Sequence, residues 1–269
     1  MSTSEDLASE LATAFDQAAR RYDRFAVDLF SPMGRTLLRR AAVRSGEHVL
    51  EVGCGRGATL LAALDVVGEQ GSVLGVDDKP TMVQVTGSRL RADNADVRLD
   101  GLSQPDFQPG SFDVVLGNLM IFQLPDPALA LRNYATLLRP SGRLAFSTLG
   151  SPDRALVKAM GAIAGFAPNR ESLRGVADPF RTEESIRSFV TRNGYARVEI
   201  TEDEFEIRFR DADQWLEWVW AYGGRELLDS VPAEQLPSAR AAAFREIEAA
   251  RSQDGELTLT TRVRFTVAS

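Results

Sequence analysis

Val49-Leu50-Glu51-Val52-Gly53-Cys54-Gly55-Arg56-Gly57 reads as an apolar strand running into a glycine-rich turn, with a helix beginning near Ala58. A second apolar run, Val73-Leu74-Gly75-Val76, ends on Asp77. That order of parts describes a nucleotide site. Glycine lets the backbone come close to a ligand, and the first turn of a helix carries free N–H groups. A carboxylate about 20 residues further on is placed to accept hydrogen bonds from both hydroxyls of a ribose.

Outward from this stretch, strands and helices alternate. Strands are predicted at 48–52, 72–77, 96–100, 112–117 and 142–148, and helices at 58–69, 80–92 and 127–139. The last helix has Leu131, Tyr134 and Leu138 on one face and stops at Arg139-Pro140-Ser141-Gly142. Short connections between such elements imply βαβ units and a mostly parallel sheet. Ligands on such sheets bind beyond the carboxyl ends of the strands, where strand order reverses.

Two helices are predicted before the first strand, over 6–27 and 33–43, with Ser45-Gly46-Glu47 turning the chain into that strand. The stretch 151–181 breaks the alternation and reads as an insertion rich in Gly, Pro and Arg. A helix over 184–193 and a strand near 197–207 follow. Residues 211–253 read as two helices broken at Val231-Pro232, and 257–267 has the period of two expected of a closing strand.

The chain has 269 residues, 44% hydrophobic and 26% charged, with a net charge of −7. This suits one large domain, or a domain with a cap. Tracking a phosphate backbone needs clustered cations, so nucleic acid is not an expected partner. Arg35, Arg39, Arg40 and Arg44 do cluster, and they read as the solvated face of a helix. Cys54 is the only cysteine, which fits a reducing, cytoplasmic setting. The polar, acidic start does not resemble a signal peptide, and no run is long enough to span a bilayer. No cluster of metal-ligating residues is evident. Oligomeric state is left open, a homodimer included.

The spacing Gly53-x-Gly55-x-x-Ala58 also satisfies the loose dinucleotide pattern, so the turn alone does not choose its ligand. Glu51 bears on the choice. An acid there repels a pyrophosphate and welcomes a positively charged aminoacyl tail. The lone histidine, His48, starts the first strand at the end away from the site and reads as structural. Nothing resembles a hydride-transfer centre.

With these residues together, the chain resembles the class I S-adenosylmethionine-dependent methyltransferases, most strongly over 47–149. The glycine stretch matches the family's first motif, and Gly75-Val76-Asp77 the end of its second strand. Leu99-Asp100-Gly101-Leu102 resembles its adenine segment. Phe112-Asp113-Val114-Val115 with Gly117-Asn118 resembles its fourth strand, and Phe122 to Pro127 and Leu138 to Leu144 resemble the parts that follow. The leading Ala14-Phe15 and Arg20-Arg21-Tyr22-Asp23, with the tryptophan-rich tail, resemble the small-molecule branch, which contains quinone-biosynthesis and natural-product tailoring enzymes.

The resemblance implies an α/β, Rossmann-like fold. Its sheet is mostly parallel and seven-stranded with an antiparallel last strand, and N-terminal helices and a helical cap are added. It divides the chain into an N-terminal helical lid (1–45), a cofactor-binding core (46–150), and the rest of the sheet with cap insertions for the acceptor at 151–181 and 211–253. It implies S-adenosyl-L-methionine as cofactor, S-adenosyl-L-homocysteine as product, and a small, largely apolar metabolite of secondary metabolism as substrate, methylated at O, N or C. The alternative is a relative that keeps the cofactor but cyclises or rearranges a natural product.

Residue by residue, Gly53, Gly55 and Gly57 would cradle the methionine part of the cofactor. Glu51 would orient its ammonium group or else cap backbone, and Cys54 would contribute packing and a backbone contact. Asp77 would accept the ribose hydroxyls, with Asp78 and Met82 beside the adenosine. Asp100, Gly101 and Leu102 would close on the adenine. Asn118 would touch the cofactor or line the reaction centre, and Tyr22 is either a lid or a core residue. No catalytic base is identified. Gln123 stands where many relatives carry histidine, and an amide does not take a proton at neutral pH. Asp153, Glu217 and Tyr222 are the other candidates. Trp215, Trp218, Val219 and Tyr222 form one helical stripe, with Leu216 and Trp220 on another. The stripe is either core or an aromatic wall for a flat acceptor.

Overall fold

In a computed structural model, residues 28–168, 178–220, 225–252 and 254–269 are described. Helix α1 (Phe30–Arg40) precedes β1 (His48–Val52). Then come α2 (Ala58–Val67), β2 (Ser72–Asp77), α3 (Pro80–Arg89), β3 (Ala95–Leu99) and β4 (Phe112–Gly117). A single 3-10 turn, Ile121–Gln123, leads to α4 (Pro127–Leu137) and β5 (Leu138–Leu149). After α5 (Arg154–Ala164) come α6 (Glu183–Arg192) and β6 (Val198–Phe209). The chain closes with α7 (Ala212–Val219), α8 (Arg225–Asp229), α9 (Leu236–Glu248) and β7 (Leu257–Ala268).

The seven strands form one sheet in the order β3-β2-β1-β4-β5-β7-β6. β1 pairs in parallel with β2 on one side and β4 on the other, and β7 is antiparallel to β5. Strand order therefore reverses between β1 and β4, which puts Gly53 and Asn118 at the switch point. In β1, every residue after His48 is buried, as expected of a central parallel strand covered on both faces.

The chain divides into two compact units. The larger holds residues 28–150, 179–203 and 263–269. Its core joins Leu50, Val52, Val76, Val115, Leu131, Tyr134 and Phe146 with Phe180, Ile186 and Val190 from the α6 region. Local chemistry sets its helix starts. The Asp126 side chain caps α4 by accepting from Leu129 N at 2.9 Å, with Pro127 at the first helical position. Thr182 and Ser185 form a reciprocal capping box on α6. The Arg143 guanidinium makes a two-pronged ion pair with Glu47 and also donates to the carbonyls of Ala41 and Ala42, tying the exit of α1 to β5.

The smaller unit contains the described parts of 151–178 and 204–262. Trp215, Trp218 and Val219 are buried in it, and the Phe209 and Trp218 rings meet edge to face at 5.5 Å. Leu216 and Trp220 are half-buried.

Within the stretch 151–181, expected as a cap insertion, α5 forms where Asp153 caps an alanine-rich run through Ala155 N at 2.7 Å. One local expectation changes: among the described residues of 211–253 there are three helices rather than two. The helix expected over 6–27, with Tyr22, and the segment carrying Tyr222 lie outside the described residues.

Arg35, Arg39, Arg40 and Arg44 are exposed, as a solvated face requires. His48 lies at the amino end of β1, where its ring Nδ1 meets Ser72 Oγ at 2.7 Å and its backbone N–H donates to Asp113 Oδ2. Among the described residues, no helix is long and apolar enough to cross a membrane, and no group of His, Cys, Asp and Glu is arranged to hold a metal ion.

Candidate cofactor site

The turn after β1 owes its shape to three glycines at positive φ: Gly53 (+66°), Gly55 (+53°) and Gly57 (+80°). That region is costly for a residue with a Cβ. Gly57 is the N-cap of α2 and offers no side chain to cap it. A Cβ on Gly55 would meet nothing within 4 Å, so this side of the turn is open. On Gly53 it would press on the Met120 side chain at 3.0 Å.

Asp77, the last residue of neighbouring β2, fixes this turn. Its Oδ2 accepts from Gly55 N at 2.8 Å, and its Oδ1 from Lys79 N at 3.0 Å. Burial raises its pKa, and the two N–H donors offset part of that rise. A carboxylate offers about four lone-pair sites, so capacity remains after these two bonds. From α3, the Thr86 hydroxyl donates to Gly55 O at 2.7 Å and Arg89 to Arg56 O at 2.8 Å.

Glu51 is the unusual group. It is 2% exposed within an apolar strand. It accepts from the Thr59 hydroxyl and from Leu60 N in the first turn of α2, so it supplies the cap that Gly57 lacks. Its Oε2 is buried without a hydrogen-bond partner. Burial, with the Asp77 charge adding, pushes its pKa up to about 8. An orphaned buried carboxyl oxygen is expensive unless a ligand completes it. The capping and ligand readings of Glu51 are therefore compatible, one for each oxygen.

Cys54 is 4% exposed, and burial pushes its thiol far above the ordinary range. It packs on Gly75, where a Cβ would sit 3.0 Å from its Sγ. Asp78 is half-exposed and pairs with Lys79 Nζ at 2.7 Å, while Met82 is buried at the start of α3. Asp100 closes its own loop, accepting from Gly101 N at 2.7 Å and Asp106 N at 3.0 Å. Tyr134 donates to Leu102 O at 2.6 Å and Asn133 to Ser103 O at 3.0 Å, which hold that loop from α4.

Asn118 has its amide committed to protein groups. Nδ2 donates to Thr59 Oγ1 at 3.1 Å and to Phe30 O at 3.3 Å, and Oδ1 accepts from Ser147 Oγ at 2.7 Å. Gln123 donates to Leu119 O at 2.7 Å and itself is exposed. Asp153 spends both oxygens on backbone N–H groups, of Ala155 and Thr260. Glu217 is exposed on α7.

The structure thus gathers Glu51, the three glycines, Asp77, Met82 and the Asp100 loop in the larger unit, around the carboxyl ends of β1 and β2. Sequence reasoning missed Thr59, Thr86, Tyr134 and Ser147. Thr59 was accessible in principle, as the second residue of the helix after the glycine turn. The other three act across contacts distant in sequence and carry no local signal.

Comparison with known proteins agrees with this geometry. Residues 43–162 match the family model of a methyltransferase domain. The chain is 32% identical over 269 residues to nocamycin O-methyltransferase of Saccharothrix syringae, covering 93% of this chain and 95% of that protein. It is 40% identical over 144 residues to aklanonic acid methyltransferase DauC of Streptomyces sp. strain C5, covering 52% of this chain and 64% of that one. In fold it is similar to the YcgJ protein of Bacillus subtilis, with a TM-score of 0.59 at 17% identity, over 88% of this chain and 97% of that one.

Proposed function

The chain belongs to the class I S-adenosylmethionine-dependent methyltransferases, and on that premise we propose that it methylates an oxygen of a small, largely apolar natural product. S-adenosylmethionine is its methyl donor. The observation that carries the acceptor class is the extent of the likeness to the nocamycin enzyme. It spans 93% of the chain, so it runs through the variable segments 151–181 and 211–253 assigned to acceptor recognition as well as through the core.

The residues of the turn fit that donor. Gly55 leaves open space for an aminoacyl chain beside a turn that Gly53 and Gly57 shape, and the orphaned Glu51 oxygen is a ready partner for its ammonium group. Asp77 keeps lone pairs for the ribose hydroxyls, and the Asp100–Leu102 loop is held ready for the base. When bound, the sulfonium donor supplies an already activated methyl group. The chain's own work is then to bind, orient and exclude water.

The candidate bases bear on the acceptor. Asp153 is engaged twice, Glu217 faces solvent and Gln123 is an amide. Among the described candidates, Tyr222 lying outside them, none suits deprotonation of a poorly acidic alcohol. We therefore assign an acceptor oxygen more acidic than an aliphatic alcohol, such as a phenol, an enol or a carboxylic acid. Incubation with S-adenosylmethionine and a panel of polyketide acids and phenols tests this. Formation of S-adenosylhomocysteine with an acceptor heavier by one methyl supports it. A product isomeric with its substrate would select cyclisation instead. Tight donor binding without turnover on any acidic acceptor would overturn the acceptor assignment and leave the donor site standing.

A further inference from the structure

Asn118 stands at the switch point, yet it points its amide at protein groups. Its orientation is settled by Phe30 O, which can only accept, so the NH2 side faces that carbonyl and Thr59, and Oδ1 faces Ser147. From there every hydrogen has a fixed direction. Leu119 N–H donates to Ser147 Oγ at 2.9 Å. The Ser147 hydroxyl hydrogen is then free for Asn118 Oδ1 at 2.7 Å. Asn118 Nδ2 donates to Thr59 Oγ1 at 3.1 Å, which leaves the Thr59 hydrogen for the Glu51 carboxyl. All donors point the same way, from a backbone N–H that can only give to a carboxyl group that completes the chain.

We propose that Thr59, Asn118 and Ser147 form a polarised relay that holds Glu51 in place as the acceptor for the ammonium group of the methyl donor. The proposal rests on the donor-site reading above. In this assignment Asn118 is a positioning residue rather than a cofactor ligand. Asn118, Thr59 and Ser147 are each buried, and Gly34 of α1 lies so close that a Cβ there would be 2.5 Å from Thr59 Oγ1. The threonine is therefore held from three sides. Chains of hydrogen bonds in a low-dielectric interior polarise one another, so links away from Glu51 still strengthen the last one. Without the Thr59 hydroxyl, the Glu51 carboxyl has only Leu60 N–H to fix its rotamer.

Thr59→Val removes the hydroxyl at nearly constant shape. Two ligands are compared by calorimetry: S-adenosylhomocysteine and its analogue lacking the α-amino group. The wild-type protein should prefer the amine by about tenfold or more, the range of a charge-assisted hydrogen bond. In Thr59→Val that preference should fall at least about fivefold, with little change for the des-amino analogue, and Thr59→Ser should restore it. Ser147→Ala should move the preference the same way by a smaller factor, and it decides the matter if Thr59→Val does not fold. An equal loss for both ligands in the variants, with the amine preference kept, overturns the relay alone. No amine preference in the wild-type protein overturns the Glu51 assignment and the relay with it.

Discussion

Asp77 Oδ2 accepts the Gly55 N–H at 2.8 Å, so the carboxylate that ends β2 shapes the turn that ends β1. That side chain braces an unusual backbone and keeps lone pairs that the two N–H donors do not use. Asp77→Ala is expected to cost about 2–4 kcal/mol of affinity for S-adenosylhomocysteine, because donors on both sides lose their acceptor. Titration calorimetry reads the loss. An unchanged dissociation constant sinks the ribose assignment.

Glu51 makes stability depend on pH with an unusual sign. Its pKa lies near 8 in the folded chain, against an ordinary value of 4.5. The folded chain therefore holds a proton that the unfolded chain releases. The resulting stability is complete below about 4.5 and is lost as pH rises to about 8. Asp77, also raised, acts in the same sense, and Cys54 is the other titratable group beside them. The ligand-free protein should lose on the order of a few kcal/mol across that window, seen in denaturant titrations. Glu51→Gln should flatten the curve.

Ligand binding should report the same proton. An ammonium group beside Glu51 favours the ionised carboxylate, so binding S-adenosylhomocysteine at pH 7 should release a proton. Calorimetry in two buffers of different ionisation enthalpy measures it. No buffer dependence would show that the carboxyl does not change its charge.

Cys54 and Gly75 are packed against each other. Gly75→Ala would set a methyl 3.0 Å from Cys54 Sγ and 3.1 Å from Leu60 Cδ1. The expected destabilisation is about 1–3 kcal/mol, from overpacking. Adding Cys54→Ala should recover part of it, by removing the sulfur that clashes. The wild-type thiol should react with a disulfide reagent only after unfolding, since it is buried and held protonated.

The Glu47–Arg143 pair holds the exit of α1. Burial raises the Glu47 pKa, but the Arg143 hydrogen bonds and the Arg44 N–H outweigh it, and the net shift is downward. Its contribution is present above pH 4.5 and is lost as pH falls through the depressed folded value. Arg143→Ala should destabilise the protein by about 2–3 kcal/mol, because a partly buried carboxylate and two carbonyls lose their donor. Thermal unfolding at pH 7 and pH 3 should show the difference between wild type and variant shrinking in acid.

The sequence by itself determined the parts that are local. The seven strands appear within a few residues of their expected places, because alternation, apolar runs and glycine turns act over short stretches. β5 starts earlier than expected, pairing Leu138 with Phe112 ahead of the Arg139-Pro140-Ser141-Gly142 turn. The donor was legible too, since Glu51, Gly53 and Asp77 are set by spacing along two adjacent strands. The bounds of helix α5 were not, because its cap, Asp153, lies inside a Gly-, Pro- and Arg-rich stretch that reads only as an insertion.

Tertiary structure decided everything that depends on contacts distant in sequence. Whether Asn118 faces a ligand or its neighbours turns on Ser147 and Phe30, separated from it by 29 and 88 positions. That Glu51 caps a helix with one oxygen and leaves the other unpartnered follows from the packing of α2 against β1. Its raised pKa has the same origin, because desolvation belongs to the folded environment of a carboxyl group and not to its place in the chain.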